Sequence, residues 1–299
     1  MVKRDGSYQR LGTAGFTNGA TAIPFHAIMN PNQALWEKGD FTQIAALMRE
    51  SGEALVDSLN VNPAHRVLDL GCGDGTTALP LARRGVEVEG IDIARNLIEA
   101  GRRRAAEAGL AWLRFREGDA SNLHDVDTHS FDLTLSVFGA MFAPRPLDVA
   151  KEMVRVTKPG GRIIMGNWIP DDPTSFVSQL LKISSAYTPA PAPGFVSPMT
   201  WGVHAHIVER FHHAGVPEDD ITLVRDTFYF RLPGQGPAQV VDLFRRYYGP
   251  TMNAFAAAEQ NGKAERLQRE LLELARAQNR GGENDTLIPA TFLRVLVQV

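Results

Sequence analysis

Three glycines spaced two apart, directly after a short apolar run, constrain this chain more than any other stretch. Arg66-Val67-Leu68-Asp69-Leu70-Gly71-Cys72-Gly73-Asp74-Gly75-Thr76 reads as a buried strand, a glycine turn and the opening of a helix. Val67, Leu68 and Leu70 suit a parallel strand covered on both faces. Gly71, Gly73 and Gly75 let the backbone turn sharply and let a ligand approach where a Cβ would collide. Thr76 and Thr77 stand where they can cap the next helix, whose free N–H groups favour a negative group such as a carboxylate. The spacing separates two kinds of cofactor. A dinucleotide fingerprint needs G-x-G-x-x-G, and its third glycine falls on Thr76 here, so that pattern fails.

Four further strand patterns follow at regular intervals. Ala78 to Arg84 is a short helix closed by Gly85, and Val86 to Ile93 is a strand with Asp92 at its carboxyl end. Asn96 to Ala108 is helical, with Arg102, Arg103 and Arg104 read as a solvated face. Leu113 to Glu117 alternates as a third strand and runs into Gly118-Asp119-Ala120. Phe131 to Val137 and Arg162 to Trp168 are the fourth and fifth strands, the last preceded by the turn Lys158-Pro159-Gly160-Gly161.

Asp69-x-Gly71-x-Gly73-x-Gly75, with Asp92, Gly118-Asp119-Ala120 and the segment from Arg155 to Trp168, resembles the class I S-adenosylmethionine-dependent methyltransferases, over roughly residues 66 to 168. The late segment looks like the group related to ubiquinone and menaquinone C-methyltransferases. The resemblance implies an α/β fold, a Rossmann-like, seven-stranded, mostly parallel sheet flanked by helices, with helical cap insertions. It implies S-adenosylmethionine as cofactor, with Asp69, Gly71, Gly73 and Gly75 in the binding turn. Asp92, with Ile93 beside it, would hold the ribose hydroxyls, because ligands of open parallel sheets bind beyond the carboxyl ends of the strands. Asp119 would accept from the adenine amine while Ala120 leaves room for the ring, and Ser136 would meet the methionine part.

Around this core the chain divides into 1–60 (arm and helices), 61–168 (cofactor core), 169–200 (lid insertion) and 201–299, which completes the sheet and carries a helical insertion at about 237–280. Gln33 to Leu59 reads as two or three short helices broken at Gly39-Asp40 and Ser51-Gly52, with Trp36 either a cofactor wall or plain core. The proline-rich stretch 169–200 predicts a lid around a helix from Thr174 to Tyr187. Ile221 to Phe230 and Thr291 to Val299 are the sixth and seventh strands. The helical pair between them is either substrate cover or a self-association surface for a homodimer.

The acceptor pocket draws on Phe138 and Met141 from the loop after the fourth strand and on Tyr187 from the lid, a lining suited to a small apolar or aromatic molecule. No catalytic base stands out. His204, beside the apolar face of its helix, and His26, in the arm, are the weak candidates among eight histidines. No histidine pair has metal spacing, and the single Cys72 excludes both an intramolecular disulfide and a multi-cysteine zinc site. A net charge of −3 gives no broad attraction to nucleic acid, and no run approaches a membrane span, which points to a cytoplasmic protein. Two other readings stay open: a dinucleotide-dependent oxidoreductase and a non-catalytic cofactor-binding module.

Overall fold

A computed structural model describes residues 31–299, and the N-terminal arm with His26 lies outside them. The described chain opens with α1 (Pro31–Glu37), α2 (Thr42–Ala46) and α3 (Arg49–Ser58). The turn at Gly39-Asp40 breaks the first two helices as expected. The second break comes at Leu47-Met48 and not at Ser51-Gly52, which lies inside α3. A Cβ on Gly52 would stand 2.5 Å from Thr76, so this glycine lets α3 press against the glycine turn.

Alternating strands and helices then build the sheet: β1 (Arg66–Leu70), α4 (Ala78–Arg83), β2 (Glu87–Asp92), α5 (Arg95–Glu107), β3 (Leu113–Glu117), β4 (Phe131–Val137), α6 (Pro146–Val156) and β5 (Thr157–Trp168). Their order in space begins β3-β2-β1-β4-β5, all parallel. The inner strands are apolar on both faces because helices cover both, and Val67, Leu68, Leu70, Leu133 and Leu135 are completely buried.

The second half adds α7 (Phe176–Ser185), α8 (His204–His213), β6 (Ile221–Leu232), α9 (Pro237–Tyr247), α10 (Gly249–Gln260), α11 (Ala264–Gln278) and β7 (Thr286–Gln298). β7 inserts antiparallel between β5 and β6 and completes the seven-stranded order β3-β2-β1-β4-β5-β7-β6. β7 begins five residues earlier than the pattern from Thr291 predicts, because it pairs along the whole of β6, from Ile221↔Val297 to Leu232↔Thr286. Pro289 is tolerated there because β5 stops pairing at Trp168↔Phe292, so a missing N–H costs no ladder bond on that side.

The region 237–280 holds three helices and not a pair. Gly249-Pro250 ends the first apolar helix, and Asn261-Gly262 separates the second from the charged α11. α11 packs on α9 and α7, and α10 packs on α7 and α9.

Candidate active site

A cavity of about 1100 Å³, counted with its open mouth, lies beyond the carboxyl ends of the parallel strands. Strand order divides its walls. Over β1, β2 and β3 stand the glycine turn, Asp92, Ile93 and Gly118-Asp119-Ala120; over β4, β5 and β6 stand Phe138, Trp168, Phe228 and Phe230. Trp36, Phe41, Ile44 and Met48 from the N-terminal helices, with Phe244 and Tyr248 from the end of α9, supply the remaining cover.

The turn is shaped by protein contacts as much as by any ligand. Gly71 has φ +70°, and a Cβ there would stand 2.7 Å from the backbone of Gly139 and Ala140. Its glycine therefore serves the close approach of the loops after β1 and β4. Asp92 stands partly exposed at the end of β2, where its Oδ2 accepts from the Gly73 N–H at 2.8 Å and its Oδ1 from the Ala94 N–H at 2.9 Å. Burial pushes its carboxyl above the ordinary range, although these backbone N–H groups oppose the shift. One strand over, Asp119 Oδ1 accepts from the Ser121 N–H at 2.8 Å and the Ser121 hydroxyl at 2.7 Å, which leaves Oδ2 facing Arg145 at 3.7 Å. Two acidic groups thus stand at neighbouring strand ends, beside a glycine turn that opens on an apolar-walled cavity.

Comparison with known proteins agrees with that geometry. A family model described as a methyltransferase domain matches residues 68–165, the stretch from β1 to β5. An uncharacterized protein of Mycobacterium tuberculosis is 32% identical over 248 residues, covering 82% of this chain and 86% of that protein. The chain belongs to the S-adenosylmethionine-dependent methyltransferases. A demethylmenaquinone methyltransferase of Paenarthrobacter aurescens is 37% identical over 114 residues, 38% of this chain and 43% of that protein. The fold is shared with phosphoethanolamine N-methyltransferase 2 of Haemonchus contortus, with a TM-score of 0.56 at 13% identity, covering 89% of this chain and 59% of that one.

Within the methyltransferase, several expected site residues stand away from the cavity. Asp69 is buried and does not line it: its Oδ2 accepts from the Thr77 hydroxyl at 2.5 Å, and its Oδ1 has no partner. Thr77, expected as a helix cap, thus spends its hydroxyl on β1, and α4 begins without a side-chain cap. Burial, the largest cause, pushes the Asp69 carboxyl up to about 7; the Thr77 hydrogen bond opposes the shift and Asp92 adds to it. Gly75 is also a packing position, because a Cβ there would strike Leu79 at 2.3 Å and Phe115 at 2.8 Å. Ser136 is 1% exposed and joins two loops: its hydroxyl donates to the Leu70 carbonyl at 2.6 Å and accepts from the Ala140 N–H at 3.0 Å.

On the acceptor side, Phe138 does line the cavity, stacked on Trp168 with ring centroids 3.6 Å apart. Its φ of +58°, costly for a bulky residue, is held by a hydrogen bond from its N–H to the Gly166 carbonyl. Met141 is 1% exposed and belongs to the core. Tyr187 does not line the cavity and donates to Glu270 on α11 at 2.8 Å. The 169–200 insertion contributes only Val177 to the lining, so among the described residues the cover comes from α1, α2 and α9 instead. His204 is exposed at the start of α8 and lies outside the lining.

Sequence reasoning missed the aromatic wall of β6 and α9, and also a buried ion pair. Asp74, 2% exposed inside the turn, pairs with Arg49 of α3, and its carbonyl accepts from Arg104, which therefore is not simply part of a solvated face. The alternation of Phe228 and Phe230 was the available signal for the wall, since equal parity in a strand means one face.

Proposed function

We propose that this methyltransferase passes the methyl group of S-adenosylmethionine to a small, largely apolar or aromatic acceptor by in-line displacement. The observation that carries this reading is the continuity of one cavity from Asp92 and Asp119 to the aromatic wall of Phe138, Trp168, Phe228 and Phe230. The turn fits the cofactor. Both Asp92 oxygens are oriented by backbone N–H groups and keep lone pairs for vicinal hydroxyls, as a ribose presents. Asp119 Oδ2, which faces Arg145 at 3.7 Å and makes no hydrogen bond, has lone pairs for an exocyclic amine, and Ile93 and Ala120 would flank the ring. Nothing lies within 4 Å of where a Gly73 Cβ would stand, so the turn leaves ligand space at that point.

When bound, the cofactor supplies a methyl group on a sulfonium, whose departure as a neutral thioether needs no acid. What remains for the chain is to exclude water, hold the acceptor in line and receive a proton where the acceptor carries one. The aromatic wall serves the first two tasks. The stretch shared with demethylmenaquinone methyltransferase supports a place near the quinone C-methyltransferases, as does the apolar wall.

Calorimetry with S-adenosylhomocysteine, together with transfer of labelled methyl to a panel of phenols, quinones, amines and sugars, tests the reading. We expect saturable cofactor binding and labelling confined to the apolar ring compounds. Labelling of amines or sugars alone would overturn the acceptor class.

A further inference from the structure

Tyr248, the residue joining α9 to α10, is 3% exposed and lines the aromatic part of the cavity. Its ring stands among Phe244, Trp36 and Phe41, with centroids at 5.3, 5.9 and 6.1 Å. None of these three neighbours offers an acceptor to the phenol, and among the described residues no hydrogen bond reaches its hydroxyl. The hydroxyl is not sealed in the core, and Tyr248 lines the cavity, so the group is open to whatever occupies its aromatic part. Among the described residues nothing competes for its proton, and it is free to donate to a bound molecule.

We propose that the Tyr248 hydroxyl is the hydrogen-bond donor that orients the acceptor, and that the acceptor is an apolar ring molecule bearing a hydrogen-bond-accepting oxygen such as a carbonyl. The proposal rests on the aromatic-acceptor reading above and narrows it. Burial, with no opposing charge beside it, keeps the phenol in its protonated, donating form. Tyr248 moves no proton in the reaction. With the cofactor bound, the methyl carbon–sulfur bond would break with its electron pair going to sulfur, and an electron pair of the acceptor would form the new bond to carbon. Any proton on the acceptor atom would leave to water, and the hydroxyl would only fix the pose. That pose sets which ring atom faces the methyl group.

A matched pair of probes separates this proposal from the reading beneath it. 1-Tetralone and tetralin differ by a carbonyl against a methylene, and their binding to the S-adenosylhomocysteine-loaded protein is followed by tryptophan fluorescence. We expect the wild type to bind the ketone about five- to tenfold more tightly than the hydrocarbon, the size of one net hydrogen bond. Tyr248→Phe should remove that preference, leave tetralin and S-adenosylhomocysteine affinities within about twofold, and melt close to the wild-type temperature. Equal binding of both probes by the wild type, or a preference that survives in Tyr248→Phe, overturns the role of Tyr248 while leaving the aromatic pocket standing. Binding of neither probe overturns the pocket and the proposal together. Where Tyr248→Phe fails to fold, Tyr248→Leu, which also lacks the donor, carries the same comparison.

Discussion

At the scale of single residues, each member of the glycine turn has a different task, and substitutions should separate them. Asp92→Ala removes the group that orders Gly73 and Ala94 and should weaken S-adenosylhomocysteine binding by about 1–3 kcal/mol, measured by calorimetry. Arg103→Ala, on an exposed position of α5, should leave that affinity unchanged; equal losses at both sites would remove the ribose assignment. Gly71→Ala meets backbone at 2.7 Å as well as an unfavourable φ, whereas Gly73→Ala meets only the φ of +55°. Gly73→Ala should cost about 1–2 kcal/mol in urea denaturation, the strain of a left-handed alanine, and Gly71→Ala clearly more. Asp69 governs a pH effect. Its carboxyl stands at about 7 in the fold against an ordinary 3.8, so between those values the folded chain holds a proton that the unfolded chain releases. Stability from this group is full below about pH 4 and is lost as pH rises through about 7. Asp69→Asn still accepts from Thr77 and lacks that titration. The melting temperature of the variant minus that of the wild type should therefore increase from pH 4 to pH 8, and a constant difference would refute the assignment.

At the scale of elements, the cover of the site is held less firmly than its floor. α1 contains no buried residue; its Trp36 ring meets Phe142 edge-on at 4.9 Å and Phe41 at 5.6 Å, and Gln33 and Glu37 add hydrogen bonds to Glu117 and the Arg95 N–H. β1 and β4, by contrast, sit inside the sheet. Hydrogen exchange should find the α1 amides opening faster than those of β1 in the free protein, and slowed when S-adenosylhomocysteine is added. Exchange in α1 indifferent to the ligand would mean that this helix is not part of the binding site. The same contrast shows in the 169–200 insertion, expected as a lid, which gives the cavity lining only Val177. Prolines mark 169–200 as an insertion but say nothing of its direction, and α7 turns to pack on α10 and α11. Tyr187 follows its helix to Glu270 and away from the cavity. Phe244 and Tyr248, from a helix that reads equally well as cover or as contact surface, face the cavity because α9 packs beside α2.

At the scale of the whole molecule, among the described residues no three His, Cys, Asp or Glu side chains gather as a metal centre, and no helix is long and apolar enough to cross a membrane. Methyl transfer should therefore persist in EDTA once the acceptor is found; loss of activity with rescue by magnesium would place the enzyme in the metal-dependent group.

The order β1 to β5, the family and the positions of Asp92 and Asp119 were legible in the sequence because each depends on local pattern. An apolar run, a glycine at a turn and an acid at a strand end carry their meaning within a few residues. The pocket was not legible in the same way. Met141 is three residues from Phe138 and points into the core, while Phe228 lies ninety residues on and faces Phe138 at 5.1 Å. That neighbourhood exists only because β7 inserts antiparallel beside β5 and carries β6 back along it. Asp74 and Arg49 are likewise partners only because Gly52 lets α3 close on the turn. Local pattern determined the glycine-turn side of the cavity. Long-range strand pairing and helix packing decided its aromatic side, because contacts between distant segments leave no periodic mark on either one.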